Sequence, residues 1–115
     1  MICFLLYVSC RSNDFYIDNE QFIVQGKDGP IRCLEIKNIT SDSLEYYEIV
    51  NNNTNKRVEI SFVNPPEGYV ITNWYGDTLS YITLKVGNRY AITNRSVYDA
   101  SAITKMVTVA EDSIP

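Results

Sequence analysis

From Leu34 to Val109, apolar side chains recur at every second position in runs too short to be helices. Val58, Ile60 and Phe62 alternate with Glu59 and Ser61, and Leu34 and Ile36 alternate with Glu35 and Lys37. Ile82, Leu84 and Val86 repeat the pattern. A strand turns successive side chains to opposite faces, so such a run buries one face and wets the other. Turn residues end each run: Asn51 to Asn55, Asn64-Pro65-Pro66-Glu67-Gly68, Gly76-Asp77 and Gly87-Asn88. Adjacent prolines cannot continue a ladder, and Gly-Asn tolerates the positive φ of a tight turn. No window of helical length carries an apolar stripe with a period of about 3.6. About seven strands at a spacing of roughly 8 to 12 residues predict an all-β, antiparallel β-sandwich over residues 31–115.

Length and composition narrow what such a body can do. The chain has 115 residues, enough for one domain, and its 45% apolar and 21% charged content is that of a globular protein. A net charge of −4, with acids scattered from Asp14 to Asp112, offers no basic surface to nucleic acid. The count of His is 0, which removes the commonest general base and zinc ligand together. No Cys-x-x-Cys pair, phosphate loop or nucleophile elbow occurs. No enzymatic activity, cofactor or metal is therefore expected.

Met1 to Val8 is an uninterrupted apolar run, followed by Ser9-Cys10 and the polar Arg11-Ser12-Asn13-Asp14. It is too short to cross a bilayer as a helix. Leu-Leu-Tyr-Val-Ser-Cys over residues 5–10 resembles a bacterial lipoprotein signal. That resemblance implies that Cys10 accepts a lipid and becomes the new N-terminus. The alternation of Phe4, Leu6 and Val8 with Cys3, Leu5 and Tyr7 also suits a buried strand, and that alternative stays open. Cleavage before Cys10 leaves Cys33 as the single free thiol, most simply a small apolar side chain at a strand start. Residues 11–30 are polar and end in Gly26-Lys27-Asp28-Gly29-Pro30. They read as a tether or N-terminal arm with a short strand around Phe22-Ile23-Val24.

Leu84-Lys85-Val86-Gly87-Asn88-Arg89-Tyr90 has the spacing Leu-x-x-Gly-x-x-Tyr. It resembles the tyrosine-corner segment of fibronectin type III and related immunoglobulin-like domains. The resemblance spans about residues 31–110, with its specific residues in 84–109. It implies an immunoglobulin-like sandwich in which the Tyr90 hydroxyl bonds backbone upstream.

Trp74 and Tyr75, before the Gly76-Asp77 turn, are the leading binding candidates, because aromatic faces offer large area at low entropy cost. The alternative favoured by burial statistics makes Trp74 the core aromatic. Tyr98, in the loop between the last two strands, is a further candidate. Tyr46 and Tyr47 point to opposite faces, one inward and one outward. Glu45, Glu48 and Glu59 are candidates for a carboxylate pair, but charge on exposed strand faces is the favoured reading. Asp42, Asp77 and Asp99 read as turn caps. Three sequons, at Asn38, Asn52 and Asn94, are what chance gives in an Asn-, Ser- and Thr-rich chain.

Together these features lead to an expected non-enzymatic binding module, exported to the periplasm or outer-membrane face of a bacterial envelope. It would meet the membrane only through a lipid anchor and engage a protein or polysaccharide partner. A structural subunit of an envelope assembly, or an immunity protein that neutralises a toxin, is the alternative.

Overall fold

The computed structural model describes residues 12–40 and 44–110. Cys10 and the lipoprotein-like segment lie outside the described residues, as do residues 41–43 of the Thr40–Ser43 turn. Nine strands form two antiparallel sheets, and no helix occurs among the described residues. The smaller sheet has the order β1-β2-β5, with β1 Phe15–Asp18, β2 Ile23–Gly26 and β5 Ile60–Ser61. The larger has the order β7-β6-β4-β3-β8-β9. Its strands are β3 Cys33–Asn38, β4 Tyr46–Val50, β6 Val70–Asn73, β7 Thr78–Leu79, β8 Arg89–Asn94 and β9 Ile103–Thr108.

The inner faces of both sheets share one core. Phe15, Val24 and Ile60 from the smaller sheet meet Leu34, Ile36, Ile49, Ile71, Ile92 and Val107 from the larger. The register explains the pattern. Leu34 stands opposite Ile49 and Asn94, and Ile36 opposite Tyr47 and Ile92, so alternate residues of three strands face inward together. The sandwich expected from the alternation is thus the observed architecture, with nine strands in place of about seven. Ile82 and Leu84 are buried as expected, but residues 82–86 form no ladder strand; the Ile82 N–H instead donates to the Phe62 carbonyl at 2.7 Å.

The reading of residues 11–30 as a tether is corrected. The short strand expected around 22–24 is β2, and β1 precedes it, so this stretch supplies two of the three strands of the smaller sheet. Phe15 and Val24 are fully buried. The segment looked polar because its strands are only four residues long and the stretches around them carry Asn13, Asp14, Asn19, Glu20, Gln21 and Lys27. In the hairpin, the Asp18 carboxylate accepts from the Glu20 and Gln21 N–H groups. Phe22 adopts φ 54°, unusual for a bulky residue, and its ring stacks on Phe62 with centroids 6.3 Å apart.

Asn13 locks this segment onto the larger sheet. Its side chain is fully buried: Nδ2 donates to the Val97, Ala100 and Ser101 carbonyls, and Oδ1 accepts from the Val97 N–H. Asn94, also buried, donates to the Asn13 carbonyl at 2.9 Å. Beside it, the Asp14 carboxylate lies 3.0 Å from Lys27 and 3.2 Å from Lys105. The hydrogen bond from Lys27 leads the effects that hold this carboxyl down at about 2, well below the ordinary carboxylate range. Asn13→Ala is expected to cost about 2–4 kcal/mol, because it strands several buried backbone groups of the β8–β9 loop. Denaturant unfolding checks this; a loss under roughly 0.5 kcal/mol would mean that the loop stands without Asn13.

Candidate functional site

Period two also decides which side chains reach solvent. On β6, Ile71 and Asn73 stand opposite Ile49 and Tyr47 on the inner side, so Thr72 falls on the outer side. Trp74, the first residue past β6, is 56% exposed, and Tyr75, at the tip of the turn, is 72% exposed. The favoured placement of Trp74 in the core is corrected. The large aromatic volume of the core is supplied by Phe15, Phe62 and Tyr90. Tyr46 is the outward tyrosine of its pair, and Tyr47 packs against the core.

The Trp74–Tyr75 turn is held by one side chain. Asn73 Oδ1 accepts from the Tyr75 and Asp77 N–H groups, each at 3.0 Å. The Asn73 carbonyl accepts from the Gly76 N–H at 3.0 Å. Gly76 takes φ 85°, a conformation that side-chain-bearing residues rarely adopt. Trp74 meets Tyr46 edge to face, with centroids 6.1 Å apart and planes at 89°, a favoured geometry for aromatic pairs. The turn is thus pre-organised rather than a loose aromatic loop.

From that pair a strip runs along the outer face of β4 and β6. Glu48 stands opposite Thr72 and Val50 opposite Val70. The strip ends in an open cleft of about 370 Å³, lined by Glu48, Val50, Asn51, Asn52, Asn53, Gly68, Val70 and Thr72. Gly68 takes φ 93°, a conformation that side-chain-bearing residues rarely adopt, and a Cβ there would lie 2.9 Å from Asn51 Nδ2, so the Asn51 side chain would have to move. On β3, beside the strip, Glu35 stands opposite Glu48 and pairs with Arg95 at 2.8 Å. Burial first, then the charges of Glu48 and Glu35, push the Cys33 thiol up, which favours its inert protonated form. Among the described residues, no three His, Cys, Asp or Glu side chains are grouped to hold a metal ion.

Tyr98 is almost fully exposed in the β8–β9 loop. The antiparallel register puts that loop beyond the Leu34–Asn94 pair, whereas the Trp74 turn lies beyond the Tyr47–Asn73 pair. The two aromatic candidates therefore sit at opposite ends of the sheet, and the structure does not bring them together.

Glu45 departs most from expectation. Its side chain is only 7% exposed. The Tyr90 hydroxyl lies 2.9 Å from both carboxylate oxygens, the Tyr47 hydroxyl donates at 3.0 Å, and Asn38 Nδ2 donates at 2.8 Å. Lys85 Nζ lies 3.8 Å away. The Tyr90 hydroxyl also accepts from the Lys85 N–H at 2.9 Å, the upstream backbone bond that the Leu-x-x-Gly-x-x-Tyr spacing implies. The placement of Glu45 on a solvated edge is corrected. A signal for this was present: position 45 shares the alternation of Tyr47 and Ile49, which face inward. Glu45, Glu48 and Glu59 do not converge. The first faces the core side, the second the outer strip, and the third precedes β5 in the other sheet.

Compared with known protein families, with curated proteins and with solved structures, the chain finds no match in any of the three.

Tyr90→Phe keeps the buried ring but removes the hydroxyl from Glu45 and the Lys85 N–H, and is expected to cost about 1–3 kcal/mol in denaturant unfolding. Tyr47 of this cluster and its outward neighbour Tyr46 set an alkaline limit. Burial, followed by the neighbouring Glu45, pushes the Tyr47 phenol up to about 12. Burial, followed by Glu35 and Glu48, does the same for Tyr46. The unfolded chain loses these protons first, so the stabilisation is whole below the ordinary 10.0 and drains away as pH climbs through about 12. Thermal melts between these pH values should show a falling midpoint, and Tyr47→Phe should flatten the fall; identical slopes for parent and variant would contradict the assignment.

Proposed function

We propose that this chain is a non-enzymatic binding module of the bacterial cell envelope. It is exported as a small lipoprotein and engages a protein or polysaccharide partner through the Trp74–Tyr75 turn and the strip behind it. The observation that carries this reading is the exposure of Trp74 on a turn that Asn73 holds rigid. A large aromatic left in water on an ordered frame loses little entropy when a partner covers it. The turn between β6 and β7 lies at the end of the sheet, where a partner can approach without disturbing the core. Beyond the plain sandwich, the immunoglobulin-like reading is supported by the Tyr90–Lys85 bond and by the neighbour order β4-β3-β8-β9.

The lipid anchor rests on the sequence at Cys10. Cys10→Ala should move the protein from the membrane fraction to the soluble fraction in a Gram-negative host. An unchanged distribution rejects lipidation. For the binding surface, the Trp74→Ala/Tyr75→Ala double variant should lose any envelope component that the parent retains on an affinity column. Tyr98→Ala, at the opposite end, should keep it. Equal retention by the parent and the double variant would sink the assignment of the surface.

A further inference from the structure

We propose that β9 is a dimer edge. It pairs antiparallel with β9 of a second copy of this chain, about a two-fold axis at Met106, and joins the larger sheets of the two copies into one. This goes beyond the envelope-binding reading and does not depend on it, because β9 is the edge strand opposite β7 and lies across the sheet from the Trp74 turn.

The ladder fixes which way the backbone of β9 points. The Arg95 N–H donates to the Cys33 carbonyl and the Ile39 N–H to the Arg89 carbonyl, so the odd-numbered residues of β8 bond toward β3. Tyr90, Ile92 and Asn94 therefore bond toward β9, where they stand opposite Val107, Lys105 and Ile103. The Val109 N–H, which donates to the Asn88 carbonyl at 3.0 Å, keeps the same phase. Thr104, Met106 and Thr108 are left with N–H and C=O groups aimed at the open side, where no further strand pairs among the described residues. Their side chains are all exposed. The other edges are capped or short. The Phe15 N–H of β1 is taken by the Asp14 carboxylate at 2.9 Å, and its carbonyl by Lys105 Nζ. β5 and β7 have two residues each, against six in β9. Short or covered edges resist pairing, and a long bare one invites it.

The outward residues of this edge form a palindrome, and that points to a second copy rather than a foreign strand. They read Thr-Met-Thr in either direction. A two-fold axis at Met106 sets Met106 beside its own counterpart and Thr104 beside the second copy's Thr108. Each such pair exchanges both N–H···O=C bonds, so every open group on the edge is satisfied. Threonine pairs and an adaptable methionine, 54% exposed here, are good cross-strand neighbours. Charge does not oppose the contact. Behind the edge on β8, Ala91 and Thr93 are uncharged, and Arg89 stands beside Thr108, so the two copies' Arg89 fall at opposite ends of the interface. On the inner face Lys105 meets the second copy's Val107, and its ammonium is already held 3.2 Å from Asp14. A two-fold contact closes on itself, so the edge is used up in a dimer instead of growing a fibre.

The test is sedimentation equilibrium of the full chain, in reductant so that no disulfide links two copies. One strand pair covers less than a standard interface, so a monomer–dimer equilibrium with a Kd of about 10–100 μM is expected. Met106→Pro removes an N–H that β8 does not use and should weaken the dimer at least about tenfold. The Thr104→Lys/Thr108→Lys variant sets lysines opposite lysines in the proposed register and should weaken it by a similar factor. Thr104→Glu/Thr108→Lys sets opposite charges together and should restore the parent's affinity or better. Should Met106→Pro fail to fold, as a lowered thermal midpoint in dilute solution would show, the two charge variants decide. A chain that stays monomeric up to about 500 μM overturns the proposal and leaves the edge to another strand. A dimer that is indifferent to both the proline and the paired lysines overturns it too, because the contact then lies elsewhere. If both charge variants dissociate alike, the antiparallel register about Met106 is wrong and the proposal falls.

Discussion

The fold depends on the closing of two inner faces over one core, and on the fact that the polar groups drawn into that core are satisfied there. Tyr90 shows the constraint at its sharpest. Its ring is fully buried, so its hydroxyl must find partners away from water. It finds the Lys85 N–H and the Glu45 carboxylate. Glu45 in turn is held by Tyr47 and Asn38. A carboxylate so placed would be costly alone, and three hydrogen-bonding neighbours make its burial tolerable. Among the described residues, every buried side-chain nitrogen and oxygen atom has a partner.

Two further polar side chains extend the same logic to the opposite end of the sandwich. Asn13 stands in for a missing strand neighbour, giving the β8–β9 loop the donors and acceptor that its backbone lacks. Asn94 accepts from Ser96, whose Oγ accepts from the Arg32 and Cys33 N–H groups. These bonds join β1, β3 and β8 across the two sheets. The ion pairs around Asp14 lie nearer the surface and are screened by water, so they add less than the buried amides do. Amides are suited to this task because each carries donors and an acceptor without a charge to desolvate.

The outer face follows from the same packing. Once Ile71 and Ile49 are committed inward, Thr72, Glu48 and Tyr46 face out with the alternation of their strands. A binding surface on this frame is therefore ordered by the core beneath it, and its register cannot slip without exposing the core. The Asn73 cap and the Gly68 approach settle the two ends of the strip. The Trp74 turn and the Tyr98 loop, at opposite ends of the sheet, belong to separate surfaces.

Alternation and turn residues were enough, by themselves, to determine an all-β sandwich and, of the inward set Leu34, Ile36, Val58, Ile60, Phe62, Ile82, Leu84 and Val86, all but Val86, which is exposed beside the Gly87 turn. This works because period two is a local property of an extended chain. Sequence reasoning placed Glu45 on an exposed face and favoured Trp74 in the core, because a carboxylate is ordinarily solvated and a lone Trp ordinarily well buried. Only the tertiary structure decided those two positions, because the partners that make Glu45 tolerable come from distant strands. It also decided that residues 15–26 build a sheet rather than a tether. Their strands are four residues long, too short to show a pattern, and are stable only where Phe15 and Val24 meet a core that other segments complete.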